Sequence, residues 1–295
     1  MVKDQHKPEK PLIPVSGGIA VGAGIFVSVM VYVSLRTFYF HDSGSLLLIF
    51  AALTSLLMIT FVGFFDDLLI RKDKETSSGL KQWQKPLLTL MAAVPLMVIS
   101  AGNTYIGIPF YHSIDLGLLY PLAVIPLGVV FSANMVNMLA GYNGLEAGMG
   151  LVYTGMLGLY AYVQGSYVAA YIALVAFAAL LAFLWYNWYP ARIFPGDSLT
   201  YLLGGVIAVI AIVGDIERAV LVASVPFIVE FFLKMRSRFQ AQSYGYWMRG
   251  KVKTDYKKIY SVVHLFTRTG KFSERQVVVM LMGIELVFCL LIWVI

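Results

Sequence analysis

Three stretches of this chain, 16–35, 45–65 and 166–186, contain no charged residue at all. At roughly 1.5 Å rise per residue, about 20 helical residues cross a hydrocarbon core of about 30 Å. Within that core every backbone N–H and C=O needs an internal partner, so runs of this kind fold as helices. Composition agrees: 59% of the 295 residues are hydrophobic and 13% are charged, whereas soluble domains carry about a quarter charged residues. The sequence therefore reads as an all-α, polytopic integral membrane protein, one membrane-embedded domain over 1–295.

Nine segments qualify as spans: 16–35, 45–65, 86–102, 118–139, 145–164, 166–186, 198–214, 218–234 and 276–295. Threading them alternately through a bilayer puts 1–15, 66–85, 140–144, 187–197 and 235–275 on one side. Of the 22 Lys and Arg residues, only Arg36 and Arg218 fall on or beside the other side. Positive charge marks the cytoplasmic face, so the N-terminus is expected inside and the C-terminus outside. Residues 1–10 are polar and show no signal peptide. In a soluble protein the net charge of +6 would suggest nucleic acid; this distribution points to a membrane instead. Residues 103–117, in an outer loop, alternate apolar and polar side chains around Pro109, as a small hairpin would. Cys289 is the only cysteine, so no intrachain disulfide forms.

On the inferred cytoplasmic side, polar residues gather in clusters at helix ends. Asp66 and Asp67 follow an apolar run directly; adjacent carboxylates both ionise only where cations or donors compensate, unless they merely cap the helix. Asn134 and Asn137, three apart, share a helix face. Such amides are costly in an apolar span unless they bind a ligand or pack between helices. Gly141 and Gly144 permit a tight reversal, after which a helix N-terminus near Leu145 offers an anion site. Asp197 opens a span behind a glycine; with Asn137 and substrate phosphates it would suit Mg²⁺. Phe194 could stack on a nucleobase, Lys85 could contact phosphate, and Arg236 with Arg238 could grip a diphosphate. Many other cations of the basic loop would face lipid headgroups. Carboxylates, amides and cations on one membrane face are what phosphoryl-type transfer requires.

The strings FFDD at 64–67, NMVNMLAGYNGLEAG at 134–148 and NWYPARIFPGD at 187–197 resemble the polyprenyl-phosphate N-acetylhexosamine-1-phosphate transferases. The likeness is greatest to the archaeal and eukaryotic UDP-GlcNAc–dolichyl-phosphate branch, and it runs from about Lys7 to Arg238. It implies transfer of GlcNAc-1-phosphate from UDP-GlcNAc to dolichyl or another polyprenyl phosphate, the first lipid-linked step of glycan assembly. It implies Mg²⁺, or Mn²⁺ in its place, on Asp197 and Asn137. Phosphate contacts come from Lys85, Arg236 and Arg238 with Asn134 near, uracil contacts from Gly141, Asn143 and Phe194, and an acidic pair from Asp66 and Asp67. Family members have ten spans, the additional one preceding this stretch. Val15 stands where eukaryotic members often carry glutamate, and Ser237 where animal enzymes carry a sugar-contacting histidine.

The expected partners are thus UDP-GlcNAc, the lipid phosphate, membrane lipids and, as an open option, a second copy in a homodimer; nucleic acid is not among them. The membrane would be the plasma membrane of an archaeon or the endoplasmic reticulum of a eukaryote. Another UDP-N-acetylhexosamine is the alternative donor. A transporter or flippase is the alternative class, and Glu285, in the middle of the last span, is the residue it would use.

Overall fold

The computed structural model describes residues 1–4, 7, 9–69 and 79–295. It is mostly helical. A short hairpin of β1 (Val2–Lys3) and β2 (Leu12–Ile13) leads into α1 (Gly17–Ser34) and α2 (Leu46–Leu69). Next come α3 (Gln84–Met91), α4 (Val94–Ile99) and a hairpin of β3 (Tyr105–Gly107) with β4 (Ser113–Asp115). Then follow α5 (Ile125–Met138), α6 (Leu145–Val163), α7 (Tyr167–Asn187) and α8 (Gly196–Gly214). The chain continues through α9 (Glu217–Ala223), α10 (Val225–Arg236), and a third hairpin of β5 (Tyr246–Met248) and β6 (Lys251–Lys253). It ends with α11 (His264–Thr267) and α12 (Glu274–Leu291).

Among the described residues, six helical segments are long and apolar enough to cross a membrane: Gly17–Tyr39, Leu46–Leu69, Tyr120–Met138, Tyr167–Asn187, Gly196–Gly214 and Glu274–Val294. The three other expected spans take different forms. The 145–164 segment is a continuous helix, α6, packed against α7 and α12. The 86–102 and 218–234 segments are each broken in two, before Pro95 and Pro226 respectively. A proline lacks the N–H for the helical bond and crowds the carbonyl four residues back, so each helix stops and restarts. The hairpin expected within 103–117 is present as β3–β4. Asp66 and Asp67 were expected in a loop beginning at residue 66, but α2 runs on to Leu69 and carries both inside the helix. Arg71, Lys72 and Lys74 of that loop lie outside the described residues.

Helix α8 forms the centre, in contact with α1, α2, α5, α6 and α7. It is buried nearly all round, as expected of a helix without a polar face. Lipid tails are as apolar as leucine, so close van der Waals packing through small residues holds such helices together. At Gly204 of α8, a Cβ would fall against the backbone of Ser132 and Ala133 on α5. This close approach sets α5 against α8, and so places Asn134 and Asn137 beside the start of α8. Gly204→Ala should therefore cost roughly 1–3 kcal/mol through overpacking and lower the thermal midpoint in detergent by several degrees. Gly128→Ala, where a Cβ meets nothing within 4 Å, should leave the midpoint unchanged.

Candidate active site

The site is assembled at one end of the bundle, where α2 and α5 finish and α8 begins. Gly196, at φ +69°, turns the chain into α8 so tightly that a Cβ there would collide with the Asp67 carboxylate. Glycine tolerates both the left-handed angle and the contact. The Asp67 carboxylate then accepts the N–H of Asp197 at 2.7 Å and of Ser198 at 3.2 Å. A carboxylate from α2 thus caps the positive end of α8 and satisfies two otherwise orphaned amides. Asp66, wholly buried, accepts the backbone N–H of Leu80 at 2.5 Å and meets Lys85 Nζ at 2.5 Å. The same ammonium lies 3.2 Å from Asp197 Oδ2. One lysine therefore bridges two carboxylates, holding Asp66 and Asp197 side by side.

Asn137 joins this cluster from α5: its Oδ1 accepts the Thr200 hydroxyl at 3.0 Å, and that hydroxyl also lies 3.2 Å from the Asp197 carbonyl. Asn134 Nδ2 donates to Val130 O at 2.7 Å and approaches Thr89 Oγ1 at 3.4 Å. In front of these groups opens a cavity of about 840 Å³. Lys85, Asn134, Asn137, Asp67, Asp197, Gly141 and Phe194 all line it, so seven of the residues singled out from sequence converge on one space. Asp66 sits immediately behind Lys85.

Three expected contacts lie elsewhere. Arg236 is exposed and reaches the Ile259 carbonyl at 3.4 Å, and neither it nor Arg238 lines the cavity. Arg236 is the last residue of α10, and Arg238 lies in the turn that follows it, at φ +53°. Lys234, one turn earlier, takes the inward position; it lines the cavity, donates to the Ala241 carbonyl at 2.6 Å and pairs with Glu230 at 3.7 Å. Asn143 lies buried beneath the wall, its amide on Asp4 and its backbone N–H on Glu274.

Two other groups of the site carried no separate signal in the sequence. Glu146 lines the cavity, accepts the Gly141 N–H at 2.8 Å through Oε1, and leaves Oε2 without a hydrogen-bond partner among the described residues. Its position in the first turn of an apolar helix was the available clue. The basic loop supplies a wall through Gln242, Ser243 and Tyr244. Glu230 fixes that wall by accepting from Ser243, Ser261 and the Val262 N–H. His264 closes it by contacting the Gln242 carbonyl at 3.0 Å. Burial lowers the His264 pKa below the ordinary histidine value, so the ring stays neutral at pH 7.

The donor set fits a hard divalent cation. Carboxylate and amide oxygens face one space, and Lys85 is shared by two of the three aspartates, which leaves anionic charge in excess. Among the described residues no three His, Cys, Asp or Glu side chains form a ready metal cage. A cation here would complete its shell with phosphate oxygens and water, as Mg²⁺ does.

Glu285, the residue a transporter would use, is fully buried and lies 3.7 Å from the Cys289 sulfur on its own helix. No residue of the cavity wall adjoins it in sequence.

The chain matches the model of glycosyl transferase family 4 over residues 48–215, more than half its length. A Saccharolobus solfataricus protein, provisionally named as a UDP-N-acetylglucosamine–dolichyl-phosphate N-acetylglucosaminephosphotransferase, is 37% identical over 98% of this chain and 86% of its own. The Dictyostelium discoideum protein of that name is 28% identical over 77% of this chain and 61% of its own. A phospho-N-acetylmuramoyl-pentapeptide-transferase of Borrelia garinii subsp. bavariensis is 31% identical over 97% of this chain and 82% of its own. With the matched region containing the aspartates, the amides and the α5–α6 turn just described, the chain belongs to glycosyl transferase family 4.

Proposed function

We propose that this protein transfers N-acetylglucosamine 1-phosphate from UDP-GlcNAc to dolichyl phosphate, releasing UMP. The observation that carries the reading is the Asp66–Lys85–Asp197 cluster facing a large cavity at the end of a membrane bundle. One substrate can enter such a cavity from water and the other from the bilayer. A relative named for this donor and acceptor is 37% identical over 98% of the chain, against 31% over 97% for a relative named for a muramoyl-pentapeptide donor. The cavity end is assigned to the cytoplasm because 20 of the 22 Lys and Arg residues flank it in the nine-span arrangement. In that arrangement α6 and the broken pairs α3–α4 and α9–α10 also cross.

In the reaction, an oxygen of the lipid phosphate attacks the β-phosphorus that bears the sugar. The bond from that phosphorus to the bridging oxygen breaks, and UMP leaves with the oxygen. A phosphate monoester has its second pKa near ~6, so the nucleophile is largely ionised at neutral pH and needs no strong base. This leaves Asp66 and Asp67 organising roles. Asp66 holds Lys85, whose ammonium faces the phosphates, and Asp67 holds the first turn of α8 so that Asp197 points into the cavity. Asp197 and Asn137 would hold Mg²⁺, which supplies neutralisation of the diphosphate and of the leaving group.

Radiolabel from UDP-GlcNAc should enter dolichyl phosphate only with a divalent cation, and transfer should stop on chelation. Asp197→Ala should lower the rate by about 10²–10³, the usual cost of a direct charge-stabilising contact. Arg236→Ala and Arg238→Ala, outside the cavity wall, should each cost less than about tenfold; losses equal to that of Asp197→Ala would overturn the assignment. Asp66→Asn and Asp67→Asn should each slow transfer by about 10–100-fold, as loss of an orienting group does. Near-wild-type rates in both would remove their roles.

A further inference from the structure

Among the described residues two cations line the cavity, Lys85 from α3 and Lys234 from α10. They are engaged differently. Lys85 is held between the Asp66 and Asp197 carboxylates. Lys234 donates to the Ala241 carbonyl at 2.6 Å, while Glu230 stands at 3.7 Å, beyond hydrogen-bond reach. Glu230 is supplied by other donors: Ser243 on Oε1, and Ser261 with the Val262 N–H on Oε2. An ammonium carries three N–H bonds, so Lys234 keeps donors that no described residue takes. Its side chain is only 7% exposed, which leaves little room for water to satisfy them. A buried donor left unmade is costly, and the acceptors that complete this one belong to whatever fills the cavity.

The wall beside Lys234 indicates which group arrives there. Phe231 lies three residues before it on α10, and Phe239 bonds the Lys234 carbonyl through its backbone N–H at 2.9 Å; both line the cavity. The two rings are 5.6 Å apart between centroids, and Phe231 meets Phe131 of α5 at 4.8 Å. Phe131 and Val130 continue the same apolar wall. The carboxylates suited to a cation are instead gathered on Lys85. A phosphate at the end of an apolar tail matches a lone ammonium bordering an aromatic wall, whereas a water-soluble nucleotide sugar does not. We propose that Lys234 binds the phosphate of the lipid acceptor and holds the attacking oxygen at the edge of this wall, while the Lys85 cluster takes the diphosphate of the donor. This deepens the transferase reading above and rests on it.

The test is steady-state transfer by the purified full chain in detergent, with UDP-GlcNAc and dolichyl phosphate varied in turn. Lys234→Met keeps the length of the side chain and removes its charge. It should raise KM for dolichyl phosphate at least about tenfold and leave KM for UDP-GlcNAc within about threefold, the scale of one lost hydrogen bond to a charged group. Dodecyl phosphate and dodecanol share a tail and should both compete with the acceptor. The advantage of the phosphate over the alcohol should fall at least about tenfold in Lys234→Met. Lys234→Gln, uncharged but able to donate to the wall, repeats both readings if Lys234→Met folds poorly. Ser261→Ala removes a bond to Glu230 Oε2 without touching the ammonium, and serves as the control for a loosened wall; it should leave the phosphate advantage intact. Equal rises in both KM values, a rise confined to the donor, an undiminished phosphate advantage in Lys234→Met, or the same selective loss in Ser261→Ala would each overturn the proposal. Absence of transfer by the wild type would instead contradict the functional reading on which it stands.

Discussion

Three aspartates meet where two helices of a membrane bundle touch, and one lysine with one helix terminus keeps them there. Buried carboxylates of this kind are tolerated only when paired or hydrogen-bonded. Asp67 spends its oxygens on the first amides of α8; Asp66 and Asp197 share Lys85. Each partner comes from a different helix, so the α2, α3 and α8 ends cannot separate without stranding a charge. The apolar packing of α8 against its neighbours supplies the rigidity, and Gly204 supplies the proximity that adds Asn137 to the same cluster. Two carboxylates on one ammonium leave anionic charge in excess, and that excess makes the cluster suited to a cation and to cation-bridged phosphates.

Around this fixed centre the walls are made by less regular segments. The N-terminal hairpin contributes Val2, and the loop after α10 contributes Gln242, Ser243 and Tyr244. These pieces are tied down by buried polar residues, Asp4 and Glu274 under Asn143, and Glu230 under the basic loop. The arrangement puts the charged cluster on helices and leaves the rest of the cavity wall to the hairpin and the loop. Rigid helix ends position reacting groups more sharply than loops do.

Much of this was legible in the sequence because membrane burial makes polar residues costly. Asp66, Asp67, Asn134, Asn137 and Asp197 stand out against apolar runs, and apart from Asp66, one layer behind Lys85, they line the cavity. The basic loop was harder to read. Eleven Lys and Arg lie within 234–275, and charge alone does not say which of them turns inward. At the end of α10, Arg236 and Arg238 stay outside the cavity wall, while Lys234 lines it. Two of the nine expected spans are broken in two, before Pro95 and Pro226, where apolar composition continues through a break in backbone hydrogen bonding. The extension of α2 past Asp67 was hidden for the opposite reason: polar residues looked like a helix end, but partners on α8 and Lys85 made burial affordable. Asp4 gave no signal, since its partner lies 139 residues away.

The most direct test of the central claim is electron paramagnetic resonance of Mn²⁺, as a stand-in for Mg²⁺, bound to the full chain with UDP. The account predicts a bound Mn²⁺ signal coupled to phosphorus in the wild type, lost in Asp197→Asn and restored to full strength in no variant lacking that carboxylate. An unchanged, phosphorus-coupled signal in Asp197→Asn would contradict it, and would move the cation away from the cluster on which the rest of the site depends.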